Sequence, residues 1–487
     1  MSANDSAPWS VPKTWAWTTA GAVAAVVGGG TPATTEPANF ADTGIPWITP
    51  ADLSGYREKF ITRGKRSISD AGLSSSGARL MPAGTVLFSS RAPIGYVAIA
   101  AGPVATNQGF KSFVLHDGLY PDYFYYYLQR GKELAVARSS GTTFAEISGK
   151  SAAEIPVAIA PLPEQRRIVA EIEKQFTRLD AAVAGLERVR ANLRRYRAAV
   201  LDAACSGRLV PTEAELAQAE GREYESGEAL LERIGDRRAP VVPFRSTVEG
   251  WSTVAAGDLL RVETGATPLR SRAAYYGGDV PWVTSGALNR PFIDHAEECI
   301  TELALKESNA KVFPAGTLLV AMYGEGKTRG KTSELRIPAA TNQACAALLF
   351  GPTTLELRPY VKLFLQEHYN DLRGTSSGGV QPNLNLSLIR SIQLPVPPLA
   401  EQHRIVAEVE RRLSFVEKLE AVVDDAQKRA AALRQSILKR AFEGKLVPQD
   451  PDDEPADVLL ERIRAERAAW SASGAVPKRA GRKKARA

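Results

Sequence analysis

Several short stretches contain residue types that do chemistry in enzymes, but each lacks the required spacing or context. GEGKTRGKT, from Gly324, contains G-K-T twice, and neither copy has the glycine five positions earlier that a phosphate-binding P-loop needs. GTSSG, from Gly374, follows a charged segment, whereas a serine nucleophile turn follows a strand. The glycines at 28–30 lack G-x-G-x-x-G spacing, and no N-P-P-Y or D-P-P-Y motif of an amino-methyltransferase occurs. We therefore expect this chain to bind other molecules rather than to catalyse a reaction.

The cysteines and histidines do not have the spacing of a metal site. Cys205, Cys299 and Cys345 are far apart and form no C-x-x-C pair, and the four histidines form no H-x-x-x-H pair. This pattern argues against a zinc site and a disulfide framework, and it is typical of a reducing cytoplasm. We expect no cofactor to be bound by this chain.

The composition is that of a globular protein with a modest excess of positive charge. The 487 residues include 61 Lys and Arg against 54 Asp and Glu, a formal net charge of +7. Such an excess permits a polyanionic partner without requiring one. The length predicts two or three domains. No run of eighteen apolar residues occurs, so we expect no membrane-spanning helix and a cytoplasmic location.

The order of the short motifs shows that one unit is written twice. PLPEQRRIVAEIE, from Pro161, returns as PLAEQHRIVAEVE from Pro398, 237 positions later. GGGTP returns as TGATP, IPWIT as VPWVT, MPAGTVL as FPAGTLL, SGRLVP as EGKLVP, and both ATNQ and LLERI return unchanged. Self-similarity over this length indicates two copies, roughly residues 1–240 and 241–487.

Short β-type runs come first in each copy. VLFSS, YVAIA and KSFVL in the first copy, and TLLVAMY and CAALLF in the second, are separated by Gly, Pro and Asn turns. One helix is expected around PDYFYYYLQRG and around its counterpart RPYVKLFLQEH. The aromatic run could stack on bases, but the counterpart is less aromatic, so packing under the sheet is favoured.

A long helix ends each copy. Pro163 and Glu164 supply its start in the first copy, Gly207 supplies its stop, and the 44 residues between correspond to about 66 Å. A 4,3 spacing from Ile168 and from Ile405 is apolar at nine of ten positions, which predicts a coiled-coil seam between the two helices. An amphipathic helix lying on its own domain is the alternative. The predicted seam residues are Ile168, Ile172, Leu179, Leu186, Leu193, Ile405, Val409, Val416, Val423 and Leu433.

The pattern predicts an α+β fold with two mainly β domains, each followed by a long helix. The second domain starts soon after the first helix ends, so the helices should pair as an antiparallel coiled coil, with an internal two-fold pseudo-repeat. The expected segments are domain 1 (1–160), a central long helix (161–207), a linker with a short helix (208–243), domain 2 (244–397), a distal long helix (398–444), and a C-terminal segment with a basic tail (445–487).

Taken together, the motifs resemble the specificity (S) subunit of type I restriction–modification systems, the HsdS family, over essentially the whole chain. Each copy has G-x-T-P, P-x-G-T-[VL]-L, A-T-N-Q and E-Q-x-R-I-V-A-E-[IV]-E. The resemblance implies that each β domain is a target recognition domain for half of a split DNA sequence, and that the helices form a spacer. It implies double-stranded DNA, two modification (methyltransferase) subunits and restriction (motor/nuclease) subunits as partners, and no membrane. S-adenosylmethionine, ATP and Mg²⁺ are then expected in the partner subunits.

Residues that differ between the copies are the candidates for reading two different half-sites. Three pairs of loops diverge: SSRAPIGY against AMYGEGKTRGK, YREKFITRGKR against RPFIDHAEE, and ATTEPANF against LRSRAAYYGG. Arginine can bind guanine through two hydrogen bonds, and lysine more often contacts phosphate. The candidate DNA-binding residues are Arg57, Lys65, Arg66, Arg91, Arg270, Arg272, Tyr323, Lys327, Arg329 and Lys331. A solvated surface charge is the alternative for each of them.

Residues shared by both copies are interpreted as forming turns or positioning phosphate, because they cannot easily discriminate between half-sites. They are Thr31, Asn107 and Gln108, with their counterparts Thr267, Asn342 and Gln343. Two other functional classes stay open, a coiled-coil adaptor whose domains bind proteins and an enzyme with an unrecognised site.

Overall fold

The structure is a computed structural model that describes residues 7–91, 93–140, 145–234, 248–323, 328–375 and 384–472. The chain divides into two compact units. Unit 1 takes Met1–Leu186 and Asp425–Ala487, and unit 2 takes Glu187–Asp424. Each unit therefore contains one sheet-rich domain and one half of each of the two long helices. The fold mixes α and β structure, as predicted.

The strands of unit 1 form three sheets. Their bounds are β1 (Ala16–Thr19), β2 (Ala24–Gly28), β3 (Phe40–Ile48), β4 (Phe60–Ile61), β5 (Arg66–Ile68), β6 (Val86–Phe88), β7 (Val97–Ala100), β8 (Ala105–Thr106), β9 (Lys111–Leu115) and β10 (Pro156–Ile159). The largest sheet has the order β2-β9-β6-β7-β4, a second has the order β5-β3-β8, and β1 pairs with β10.

The strands of unit 2 repeat the order of the five-stranded sheet and of the two-stranded pair, and the second sheet has one additional strand, Val312–Phe313. Their bounds are β11 (Ser252–Ala255), β12 (Arg261–Thr264), β13 (Tyr276–Val283), β14 (Phe292–Ile293), β15 (Glu298–Ile300), β16 (Val312–Phe313), β17 (Leu318–Ala321), β18 (Thr332–Leu335), β19 (Ala339–Thr341), β20 (Cys345–Leu349) and β21 (Gln393–Val396). The sheets have the orders β12-β20-β17-β18-β14 and β15-β13-β19-β16, and β11 pairs with β21.

Most of the helices are short. Their bounds are α1 (Ala20–Val23), α2 (Asp70–Ser74), α3 (Pro121–Arg130), α4 (Lys132–Val136), α5 (Gly149–Ala153), α6 (Leu162–Cys205), α7 (Glu213–Glu220), α8 (Gly227–Ile234), α9 (Ala256–Leu259), α10 (Glu302–Glu307), α11 (Arg358–Glu367), α12 (Tyr369–Thr375), α13 (Leu386–Arg390), α14 (Leu399–Phe442) and α15 (Ala456–Ala472). Single 3₁₀ turns lie at Pro37–Asn39, Pro50–Leu53, Ala273–Tyr275, Ser285–Asn289 and Leu355–Leu357. No described helix is both long enough and apolar enough to cross a bilayer.

The aromatic helix α3 lies in the core of unit 1. The Tyr123 hydroxyl donates to the Ala158 carbonyl at 2.8 Å, and the Tyr127 hydroxyl donates to the Pro156 carbonyl at 2.7 Å. Both rings pack edge-on against Phe442, near the end of α14. A buried tyrosine needs a hydrogen-bond partner for its hydroxyl, and the edge strand β10 supplies it here. The prediction that this aromatic run packs inside the domain is confirmed.

The long helices α6 and α14 each have 44 residues. The first and last residues of α6 lie within one residue of the predicted bounds. They pair within both units. In unit 2, Arg190 forms an ion pair with Asp424, and Arg197 forms one with Glu417 at 3.7 Å. In unit 1, Arg434 forms an ion pair with Asp180. Moving forward along α6 means moving backward along α14, so the contacts within each unit follow an antiparallel register.

The predicted seam is buried at most of its positions. Ile168, Ile172, Ile405 and Val416 are almost fully buried, and Leu179 and Leu186 are half-buried. Leu193, Val409 and Val423 are also buried. The seam residues nearest the sheets have two roles, because Ile168 and Ile172 also belong to the core that contains α3.

The prediction for Leu433 is wrong, since 51% of its side chain area is exposed. Leu433 belongs to the seven-residue series of Ile405, Leu419 and Ala426, which becomes more exposed along α14, whereas the series of Val409, Val416, Val423 and Ile437 stays buried. The buried residues of this last part of α14 are Ile437, Leu438, Ala441 and Phe442.

The linker after α6 forms two helices, where the sequence predicted one. The Thr212 hydroxyl accepts from the Glu215 amide at 3.2 Å, and the Glu215 carboxylate accepts from the Thr212 amide at 2.8 Å, which starts α7 with a capping box. Gly221 ends α7 in the left-handed region, with φ of 66°. The helix α8 then packs into the core of unit 2 through Leu230 and Leu231.

Candidate nucleic-acid interface

The shared G-x-T-P turn is held against the sheet by a tryptophan. In unit 1 the Trp47 indole N–H donates to the Gly30 carbonyl at 3.0 Å. A side chain at Gly29 would place its Cβ 2.0 Å from the Asn107 carbonyl oxygen, so only glycine fits there. In unit 2 the indole N–H of Trp282 donates to the Ala266 carbonyl at 3.2 Å. The tryptophan of the shared P-W motif therefore fixes the turn in both units.

The other shared polar residues also support this turn. Gln108 and Thr31 are joined by a side-chain hydrogen bond. The Asn107 side-chain oxygen accepts from the Gly109 amide at 2.9 Å. Unit 2 repeats these contacts with Thr267, Asn342 and Gln343. These hydrogen bonds agree with the turn-forming interpretation of the shared residues.

In unit 1 an arginine lies on an aromatic pair beside the turn. Strand register places Arg66 directly opposite Trp47. The Arg66 guanidinium carbon lies 3.8 Å from the centre of the Phe40 ring and 5.9 Å from the Trp47 ring centre. Phe40 and Trp47 meet edge-on, with ring centres 6.1 Å apart. Arg66 is exposed, and in the part of the chain that the structure describes no carboxylate pairs with it.

Unit 2 has the same aromatic pair but a different charged group at the matched position. Glu298 lies opposite Trp282. The guanidinium over the rings comes from Arg270, whose central carbon is 4.7 Å from the Tyr276 ring centre and 4.8 Å from that of Trp282. Arg270 donates to both carboxylate oxygens of Glu298, at 2.6 and 3.3 Å. The Glu298 carboxylate raises the pKa of Arg270 above its ordinary value.

The segments that lead to these positions differ in charge. Residues 56–66 of unit 1 contain five basic residues and one acidic residue, whereas residues 290–298 of unit 2 contain one arginine, one histidine and three acidic residues. Arg57 and Lys65 are exposed in the basic segment. Lys59 instead forms ion pairs with Asp122 and Glu173, so it serves the fold.

The β-hairpin loops carry further candidates. Arg91, after β6, pairs with Glu146 at 3.7 Å, and Lys111 pairs with the same carboxylate at 3.7 Å. In unit 2, Arg329 and Lys331 lie in the turn between β17 and β18, where the Gly330 amide donates to the Ala321 carbonyl at 2.8 Å. Tyr323 precedes this turn and is exposed over 36% of its area. Lys327 lies outside the described residues.

Arg272 is the candidate most engaged in the fold. It pairs with Glu307 at 2.5 Å, donates to the Tyr275 hydroxyl at 2.7 Å, and lies 4.5 Å from the Tyr275 ring centre. The sequence analysis did not include the aromatic pairs, Phe40 with Trp47 and Tyr276 with Trp282, among the candidate residues. The shared P-W motif was the signal that could have indicated the two tryptophans.

A cavity of about 250 Å³ lies beside the aromatic pair of unit 2. Its lining includes Trp282, Asn289, Arg290, His295 and Glu298. The His295 ring contacts Asp294 at 2.9 Å and Arg290 at 3.2 Å, and hydrogen bonding to His295 lowers the pKa of Asp294. Across the described residues, no group of three or more His, Cys, Asp or Glu side chains is arranged to hold a metal ion.

Known proteins are similar to this chain in sequence and in fold. The family model of the type I restriction modification DNA specificity domain matches residues 12–185 and 248–418. The type I restriction enzyme MjaIX specificity subunit of Methanocaldococcus jannaschii is 26% identical over 395 residues, which cover 80% of this chain and 84% of that protein. The EcoBI specificity subunit of Escherichia coli is 27% identical over 403 residues, covering 78% of each chain.

A solved chain from work on complex assembly and conformational transition of the type I R-M system has a TM-score of 0.63 at 19% identity. It covers 90% of this chain and 100% of its own length, and it shows the same fold. The family model matches most of the chain as two separate copies. The chain therefore belongs to the type I restriction modification DNA specificity family, and it is a non-catalytic specificity subunit.

Proposed function

We propose that this chain recognises a split DNA sequence, with one half-site for each sheet-rich domain, taken as residues 1–160 and 244–397. The observation that carries the proposal is that both units have the same order in the five-stranded sheet and the same tryptophan-bound turn, while the charged loops around that turn differ. Shared residues position a protein on DNA, and varied residues at base edges supply specificity. A repeated scaffold with different loops is therefore suited to two different half-sites.

The long helices would set the interval between the half-sites. Antiparallel contacts between α6 and α14 support an internal two-fold pseudo-repeat, in which the copies are related as the two subunits of a symmetric DNA-binding dimer are. In such dimers the half-sites lie about one helical turn of DNA, roughly 34 Å, or a multiple of it apart. The helix pair would replace the dimer interface within a single chain.

The DNA contacts would come from the divergent loops. Arg57, Lys65, Arg66 and Arg91 supply positive charge in unit 1, and Tyr323, Lys327, Arg329 and Lys331 form the corresponding group in unit 2. Arg270 and Arg272 are bound to glutamates, so they would reach DNA only by exchanging these partners. Lysine and arginine contacts to phosphate would give an affinity that falls steeply with salt.

The same chain would hold the other subunits of the enzyme. Phe415 and Val422 on α14 are exposed over 60% and 63% of their area, and Val189 and Tyr196 on α6 are exposed over 43% each. These exposed apolar side chains on the two long helices form the surface that we propose the other subunits contact. We expect two modification subunits carrying S-adenosylmethionine, and restriction subunits carrying ATP and Mg²⁺, in the cytoplasm. This chain itself would bind none of these cofactors.

The experiment that tests the proposed function is a map of methylated bases in cells that express the modification subunits with and without this chain. The expected result is a split motif, two short sequences around a fixed gap, that vanishes without the chain. A coiled-coil adaptor would instead leave the methylation map unchanged, and its purified complex would bind all DNA duplexes with equal affinity.

A further inference from the structure

Positions 66 and 298 occupy the same place in the two units. Each is the first residue of its strand, β5 or β15, and each lies opposite the tryptophan of the shared P-W motif. That tryptophan is almost fully buried and is hydrogen-bonded to the G-x-T-P turn in both units. A side chain at this position therefore starts from a backbone that the common scaffold holds in place, whatever residue it carries.

In unit 1 the scaffold also orients the side chain. The Arg66 guanidinium carbon lies 3.8 Å from the Phe40 ring centre, which restricts the guanidinium to the neighbourhood of that ring, and the residue is exposed. An arginine held in this way loses less conformational freedom when it forms a pair of parallel hydrogen bonds. Guanine offers two acceptors, O6 and N7, at the spacing of the guanidinium fork in the major groove.

In unit 2 the matched position cannot do the same. The Glu298 carboxylate accepts two hydrogen bonds from Arg270 and neutralises the charge of the guanidinium that lies on the aromatic pair. A carboxylate would repel the O6 and N7 acceptors of guanine, and it favours the amino group of cytosine. The exchange of Arg66 for Glu298 therefore removes the unpaired guanidinium from this position while the scaffold is kept.

We infer that position 66 is a base-reading position and that Arg66 binds the O6 and N7 atoms of a guanine in the first half-site. This inference rests on the proposed function and adds the residue and the base. Arg63 is the matched comparison, since it is exposed in the same segment and makes no contact with the aromatic pair.

The experiment uses the full chain in complex with its modification subunits and compares Arg66→Ala, Arg66→Lys and Arg63→Ala. Methylation maps and binding to duplexes that vary one base pair at a time are measured at several salt concentrations. Arg66→Ala should lose the preference for one G·C pair in one half-site by about 10- to 100-fold, and Arg66→Lys should lose part of it, because lysine lacks the planar guanidinium fork. Arg66→Lys should keep the salt dependence of the parent, and Arg63→Ala should keep its motif.

Other outcomes would overturn the inference in recognisable ways. If Arg66→Ala weakens binding to all duplexes equally and Arg66→Lys restores it, Arg66 contacts phosphate. If both variants keep the parent motif with the parent melting temperature, Arg66 contacts no base. If the unmodified complex shows no split motif at all, the proposed function fails, and the inference that depends on it fails too.

Discussion

In unit 1 the positive charge lies on the segment between β4 and β5, whereas the matched segment of unit 2, between β14 and β15, is acidic. In unit 2 the β17–β18 turn carries two basic residues, Arg329 and Lys331. The five-stranded sheets have the same strand order in both units, and the second sheets share three strands, to which unit 2 adds β16. The comparison shows which residues belong to the scaffold and which are free to change.

The scaffold residues are those whose atoms are already used by the fold. The indole N–H groups of Trp47 and Trp282 donate hydrogen bonds to turn carbonyls. A side chain at Gly29 or Gly265 would clash with neighbouring backbone atoms. A change at any of them would disturb the turn itself. Residues such as Arg66 and Glu298 can be exchanged because the scaffold holds their backbone in both units. Only the contacts of the charged end of the side chain differ.

The largest effect should come from a charge in the buried part of the helix pair, which tests whether the units depend equally on it. Ile172→Asp in unit 1 and Val409→Asp in unit 2 would each bury an unpaired carboxylate. Each should lower the free energy of unfolding by about 3–5 kcal/mol, and the complex should fail to assemble. Chemical unfolding and size-exclusion chromatography measure both effects.

The control for these variants is Ser436→Asp, at an exposed position of α14 that is not among the apolar residues proposed to contact the other subunits. It should change the free energy of unfolding by no more than about 0.5 kcal/mol. Normal unfolding and normal complex size for both buried variants would contradict the helix pairing.

A second prediction concerns the LLERI motif, which occurs once in each unit. Leu230 on α8 is buried in the core of unit 2, and Leu459 on α15 is buried in the core of unit 1. Leu→Ala at either position should cost about 2–4 kcal/mol, because it leaves a cavity in a packed core. Hydrogen exchange should show the loss of protection mainly in unit 2 for Leu230→Ala and mainly in unit 1 for Leu459→Ala. Equal loss in both units after either change would mean that they unfold as one.

A third prediction uses the opposite charges of the matched segments. Lys65→Ala should weaken binding to all duplexes a few-fold and reduce the salt slope by about one. Glu297→Gln in unit 2 should strengthen binding slightly for all duplexes, since it removes a negative charge near phosphate. Lys13→Ala, an exposed lysine outside the loops, is the control. A shift in sequence preference with Lys65→Ala would assign that lysine to base reading instead.

Features of this fold that are set by residues close together in the sequence could be predicted, and features that depend on the pairing of distant strands could not. The bounds of α6 follow from Pro163 and Gly207, and the antiparallel contacts follow from the order of the repeated elements. The place of Arg66 on the aromatic pair could not be predicted, because β3 changes register against β5: Phe40 and Ile45 both pair with Ile68. If residues simply alternated along β3, Phe40 and Trp47 would lie on opposite faces of the sheet. The register shift places both rings on the face that carries Arg66.

Leu433 illustrates the other limit. The 4,3 count treats its two apolar series as equal, but in α14 the series of Val409, Val416, Val423 and Ile437 stays buried while the series of Leu433 ends exposed. The second helix of the linker was a missed local signal, since the capping box at Thr212 and Glu215 was readable in the sequence. Whether the candidate residues bind DNA remains a prediction, because their role depends on a partner molecule and not on the fold.

The smallest expected effect concerns the two buried glutamates at the starts of the long helices. Glu164 accepts from the Trp15 indole N–H at 2.9 Å, and Glu401 accepts from that of Trp251 at 2.8 Å. Burial raises the pKa of both carboxyl groups, and the hydrogen bonds only partly oppose it. Between the ordinary value of about 4.3 and the raised value, the folded protein holds a proton that the unfolded chain has released.

The sign of the resulting pH dependence follows from this difference in bound protons. The stabilisation is present below the ordinary pKa and is lost as pH rises through the raised pKa. The free energy of unfolding of the parent should therefore fall, relative to that of Glu164→Gln or Glu401→Gln, as pH rises from the ordinary pKa through the raised pKa. Guanidinium unfolding at each pH measures the difference, in which the contributions of the neighbouring Arg167 and Asp453 largely cancel.

Glu408→Gln is the control of opposite sign, because hydrogen bonds from Arg411 and Arg412 lower the pKa of Glu408 to about 2. The same slope for Glu164→Gln and Glu408→Gln would show that burial does not dominate at Glu164. A slope for Glu164→Gln that differs from that of Glu401→Gln would show that the two units hold this shared contact with different strength.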